Sequence, residues 1–120
     1  MGVLAGNDGI MPACLVSFKS TMDFIDRLES LRPKRMLYPH YGIIEGEEDC
    51  MTVIGWAKRD NIAARDLIVN AYREGMDVEA IKQLVKDKYY TDIIKKGQPE
   101  KAFDLNNRYM VPMIIKECGE

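Results

Sequence analysis

The sequence lacks several residue patterns that often indicate a function. It contains one histidine and three cysteines in 120 residues, and no two cysteines form a C-x-x-C pair. Neither a disulfide framework nor a cysteine zinc site is supported, so Cys14, Cys50 and Cys118 are expected to be reduced thiols. The formal net charge is −2, which leaves no general electrostatic attraction for nucleic acid. We therefore expect no nucleic-acid partner.

Long apolar runs are also missing. The longest uncharged run is the ten residues Gly9 to Phe18, about half of the ~20 apolar residues that a membrane helix needs. A basic segment of the kind that opens a signal peptide is absent as well. The sequence therefore predicts a cytoplasmic protein without a membrane partner. Its length is enough for one hydrophobic core.

Apolar residues recur with helical spacing through most of the chain. The first of the predicted helices starts at Ser20, which has capping-box spacing to Asp23. Strands are predicted only at Gly2–Ala5 and Lys34–Tyr38, on either side of this helix. The fold class is therefore mainly α with one or two short strands. The predicted helices are Ser20–Leu31, Glu47–Glu74, Asp77–Tyr90 and Pro99–Lys116.

The second predicted helix is long for a small domain and has an apolar seam. The steps along the seam alternate between four and three residues, which is the spacing of helices that associate. Gly55 marks the place where a kink or a division of this helix would occur. We expect a second copy of the chain to cover the seam, with Asn61 fixing the register. The seam residues are Cys50, Ile54, Ala57, Asn61, Ala64, Ile68 and Ala71.

Two strands are too few for the helices that accompany them. A strand–helix–strand unit requires a right-handed crossover and a sheet that is covered on its faces. A sheet of two strands is rarely stable by itself. The pattern therefore predicts the end of a larger α/β domain.

The only histidine, His40, lies in the stretch Tyr-Pro-His-Tyr-Gly directly after the second predicted strand. Turn-forming neighbours present its imidazole at an edge, where ligands and catalytic groups are common. One interpretation is a solvated or backbone-bonded histidine, and the other is a ligand. A cysteine–histidine nucleophile pair has no local signature here.

Three stretches in this order, "AGNDGIMP", "LESLRPKRMLYPHYG" and a long helix with an acidic start, resemble the C-terminal third of metallo-β-lactamase-fold hydrolases. The resemblance covers Gly2 to about Gly42 well and the helical tail loosely. It implies the C-terminal part of an αββα fold plus extra C-terminal helices. Residues 1–44 would be the end of the α/β domain, and residues 45–120 a helical extension.

The resemblance implies that His40 and Asp8 are metal ligands, with zinc, iron or manganese as the metal of the intact parent. Two departures from the family pattern matter. Asn7 stands directly after the turn glycine, where the family has aspartate, so either position 7 or position 8 would bridge the metals. The H-x-H-x-D-H motif that supplies most ligands is absent.

These departures imply a fragment of a metal-dependent hydrolase that is inactive alone and holds no metal by itself. Its partner would be the missing N-terminal part of the fold or a second copy of the chain. The alternative is a small helical module that self-associates and has no catalytic activity.

Overall fold

The computed structural model describes residues 2–5, 9–38 and 42–119. In these residues the chain is mainly helical, as predicted, and none of the helices there is both long and apolar enough to cross a membrane. The elements, in chain order, are β1 (Val3–Leu4), β2 (Ile10–Met11), α1 (Phe18–Leu31), β3 (Arg35–Tyr38), β4 (Gly42–Glu45), α2 (Glu47–Arg73), α3 (Val78–Tyr89), α4 (Asp92–Gly97) and α5 (Glu100–Cys118).

The starts of α1 and α3 follow from local capping chemistry. Asp77 caps α3 as predicted, because its side chain accepts a hydrogen bond from the backbone N–H of Ala80. The predicted capping box at Ser20 is wrong. The cap of α1 is Ser17, whose hydroxyl accepts from the backbone N–H of Ser20 at 3.1 Å. The helix therefore begins at Phe18, two residues earlier than the capping-box pattern indicates.

Helix α2 runs for 27 residues and continues through Gly55 without division. Its first turn carries three carboxylates, which suit the positive end of the helix dipole. All seven predicted seam residues are buried, so the predicted periodicity is confirmed. The seam is already buried within one chain, so a second copy is not needed to cover it, and self-association stays a prediction. Asn61 accordingly bonds within its own helix, with Nδ2 donating to the Ala57 carbonyl at 2.7 Å.

The strands differ most from the sequence prediction. Strands β2 and β4 were not predicted, and each pairs antiparallel with the strand that directly precedes it. Strand β1 pairs with β2, and β3 pairs with β4 from Arg35↔Glu45 to Tyr38↔Gly42. Strands β1 and β3 therefore lie in separate two-stranded sheets rather than side by side. Short linking segments favour this local pairing, since closing a short loop costs less entropy than a long one.

Two apolar clusters lie along α2. The strand-side cluster contains Ile10, Ile25, Tyr38, Ile44, Cys50, Val53, Ile54 and Ala57. The helix-side cluster contains Met11, Cys14, Phe18, Ile68, Val69, Ala71, Ile81, Val85, Ile94, Phe103, Met110, Val111 and Ile114. Residues that precede and open α1 thus pack with α3 and α5. The proposed domain boundary between residues 44 and 45 stays a prediction.

Candidate functional site

The two predicted ligands, Asp8 and His40, lie outside the described residues, as does Asn7. Their geometry is therefore not part of the structure. The chain on either side of each ligand is described, and these flanks define the candidate site. They are Ala5 and Gly9–Ile10 around the first ligand, and Tyr38 and Gly42 around the second.

A carboxylate on α2 holds the chain that follows Asp8. The backbone N–H of Ile10 donates to Asp60 Oδ2 at 2.7 Å, and the guanidinium of Arg59 bonds to the same carboxylate at 2.8 and 3.0 Å. The side chain of Asp60 is only 17% exposed. The backbone N–H of Ala5 also donates to the carbonyl of Gly9 at 2.9 Å. Both ends of the segment that bears Asp8 are therefore fixed.

Close packing at this point favours a glycine. A Cβ added to Gly9 would lie 3.0 Å from Asp60 Oδ2 and 3.2 Å from Arg59 Nη2. Asp60 could not be selected from the sequence, because one aspartate in a charged helix carries no signal of a partner 50 residues away. The lack of a side chain at Gly9 is compatible with such a contact but does not indicate it.

The strand that precedes His40 packs on the same part of α2. Tyr38 is 2% exposed and belongs to the strand-side cluster together with Ile10. The residues that α2 contributes to this cluster are Cys50, Val53, Ile54 and Ala57. The segments that carry the two predicted ligands are therefore brought to one region of the fold, although they lie in separate sheets.

The thiols of this protein are poor nucleophiles at neutral pH. Burial raises the pKa of Cys14 to about 11. Burial, followed by the charges of Asp49 and Glu45, also raises the pKa of Cys50, whose Sγ donates to the carbonyl of Ile44 at 3.5 Å. A protonated thiol does not attack a substrate efficiently. These environments agree with the interpretation of Cys14 and Cys50 as small buried apolar residues.

The donor side chains in the described part of the chain do not make a complete metal site. Within residues 2–5, 9–38 and 42–119, no group of three or more histidine, cysteine, aspartate or glutamate side chains could hold a metal ion. The carboxylates near His40 in sequence are engaged elsewhere: Glu45 pairs with Arg35 at 2.7 Å, and Glu47 with Arg32 at 2.6 Å. A catalytic zinc normally needs three protein ligands. The residues that the structure describes therefore do not by themselves form a catalytic zinc, iron or manganese centre.

No family model matches the chain, and neither a curated protein nor a solved structure is significantly similar to it.

Replacing Asp60 by alanine is expected to lower the free energy of unfolding by about 1.5–3 kcal/mol, the value of a hydrogen bond to a charged group. The substitution leaves the N–H of buried Ile10 without its acceptor. Asp66→Ala is the matched control, because Asp66 is 55% exposed and pairs with Arg65 at the surface; it should change stability by less than about 0.5 kcal/mol. Urea unfolding measures both. Equal changes in the free energy of unfolding for the two variants would show that the hydrogen bond between Asp60 and Ile10 adds no stability of its own.

Proposed function

We propose that this chain is the C-terminal part of a metal-dependent hydrolase of the metallo-β-lactamase superfamily and is inactive by itself. His40 is a metal ligand in this proposal, and Asp8 is a second one. One observation carries the proposal. Strands β2 and β3 each lie two residues away from one of these ligands, and their residues Ile10 and Tyr38 belong to one apolar cluster with the first part of α2. Ligands of one metal site must come from segments that lie close together.

The remaining ligands have to be supplied from elsewhere, because the sequence has a single histidine. The N-terminal part of the fold is the source that the resemblance implies. The reaction class of such a hydrolase is metal-assisted hydrolysis of an ester, thioester, amide or phosphoester. In the intact hydrolase the metal ions would supply a hydroxide nucleophile near neutral pH.

Zinc titration of the 120-residue protein tests the two ligand assignments. The imidazole signals of His40 are followed by NMR, since no other histidine overlaps with them. We expect weak zinc binding that is lost in His40→Ala and weakened in Asp8→Asn, because the carboxylate would contribute a second ligand. Asp66→Asn removes one exposed carboxylate away from the candidate site and should leave zinc affinity unchanged.

Two further measurements complete this test. Asn7→Asp restores the aspartate of the family pattern, and tighter zinc binding in this variant would assign the bridging position to residue 7. The unmodified chain, purified without added metal, should retain no zinc, iron or manganese by elemental analysis and should hydrolyse neither esters nor phosphodiesters. An unchanged zinc affinity in Asp8→Asn and in Asn7→Asp would argue against the proposal, because His40 would then bind zinc as an isolated surface imidazole.

A further inference from the structure

The outer face of the β3–β4 hairpin carries two exposed apolar side chains beside an ion pair. Leu37 pairs with Ile43 across the hairpin, and Arg35 pairs with Glu45. Because side chains alternate along a strand, these four share one face. Leu37 is 80% exposed and Ile43 is 55% exposed. The opposite face belongs to the strand-side cluster, through Met36, Tyr38 and Ile44.

A balanced pair of charges flanks the two apolar side chains. Arg35 Nη2 lies 2.7 Å from Glu45 Oε1, and both side chains are more than half exposed. One face therefore carries a basic residue on β3 and an acidic residue on β4, at the same level of the hairpin. A partner of uniform charge would be repelled by one of them, whereas a surface with the same arrangement in reverse would suit both.

We propose that a second copy of this chain covers this face. A two-fold axis parallel to the strands, at the midline of the hairpin, would place Arg35 opposite Glu45 of the second copy and Leu37 opposite its Ile43. Both copies then use the same surface, as an interface with two-fold symmetry requires. The inference does not depend on the proposed hydrolase function.

The association is weak, because the exposed outer face of the hairpin is small. Four residues from each copy are far fewer than the roughly 20–30 residues on each side of a stable interface. The surface charges also make it sensitive to salt, since exposed ion pairs are screened. The dimer should therefore form reversibly at high protein concentration and low ionic strength.

Sedimentation equilibrium from micromolar to millimolar concentration measures this association. We expect a monomer–dimer equilibrium that Leu37→Asp weakens by about tenfold or more, because the substitution places two like charges in the interface. Val16→Asp is the matched control: Val16 is 89% exposed but lies outside the hairpin, so its replacement should leave the dimer unchanged. A protein that stays monomeric at millimolar concentration would overturn the proposal.

Exchanging charges between two variants tests the arrangement itself. Arg35→Glu gives a face with two acidic residues, and Glu45→Arg gives a face with two basic residues. Neither variant should self-associate, but an equal mixture should form a heterodimer, because each charge then faces its opposite. If the substitutions acted only by breaking the Arg35–Glu45 ion pair within each chain, mixing the two variants would not restore association. If the mixture remained monomeric, or if either variant dimerised as well as the unmodified protein, the proposed geometry would be wrong.

Discussion

Replacing Ile54 by alanine is expected to lower the free energy of unfolding by about 2–5 kcal/mol. The side chain of Ile54 is fully buried on α2, in the strand-side cluster. The smaller alanine would leave a cavity beneath the two hairpins that the surrounding residues fill only in part. A loss of this size is a large share of the ~5–15 kcal/mol by which a typical domain is stable. Chemical denaturation followed by circular dichroism measures it.

Ile93→Ala is the matched control for this substitution. Ile93 is the same residue type in a helix, but it is 53% exposed. Its replacement should cost less than about 0.5 kcal/mol, as surface substitutions usually do. Hydrogen exchange gives a second measurement. Ile54→Ala should reduce the protection of amides in β3 and β4 more than that of amides in α3 and α5. Uniform loss of protection would indicate that the two clusters unfold as one unit.

The protein is expected to lose stability steeply as the pH rises above about 9. Burial raises the pKa of Tyr38 and of Tyr89 from 10.0 to about 12, and that of Cys14 from 9.0 to about 11. The folded state therefore holds protons that the unfolded state releases. Stability from these groups is complete below pH 9 and falls as the pH rises toward 12. Between its unfolded-state and folded-state pKa values, each group lowers the free energy of unfolding by about 1.4 kcal/mol for each unit that the pH rises.

Tyr38→Phe is the variant that tests this pH dependence. The hydroxyl of Tyr38 is buried and has no hydrogen-bond partner among the described residues, so its removal should cost little stability at pH 7. Between pH 10 and 12 the variant should lose stability less steeply than the unmodified protein, because one titrating group is gone. Tyr109→Phe, at a tyrosine that is 56% exposed, should leave the slope unchanged. If burial did not raise the pKa of Tyr38, urea unfolding at several pH values would give the same slope of stability against pH for both variants.

The helices could be predicted from the sequence because their signals are local. The seam of α2 repeats every three or four residues, and each of its members is buried. Asp77 lies directly before the apolar positions of α3 and caps that helix. The short helix α4 was missed, since its six residues span too few turns to show a period. Ser17 was missed as the cap of α1, because Ser20 matches the capping-box pattern and Ser17 does not.

The candidate site could be predicted only as residue types in a pattern. His40 and Asp8 were selected through the resemblance, and both lie outside the described residues. Asp60 was not selected, although its carboxylate accepts the hydrogen bond of Ile10. A hydrogen bond between residues that are 50 positions apart leaves no mark on the sequence near either of them. The site therefore had to be assembled from the packing of β2 and β3 on α2.

The sequence by itself determined the mainly helical fold and the period of α2. These properties depend on composition and on neighbours within one or two turns. Only the tertiary structure decided what covers the seam of α2 and how the strands pair. It also placed Glu117 at the start of α1, where its carboxylate accepts from the N–H of Lys19 at 2.7 Å and from the hydroxyl of Ser17 at 3.1 Å. Such contacts depend on how the whole chain folds back on itself, because the groups that meet are distant in sequence.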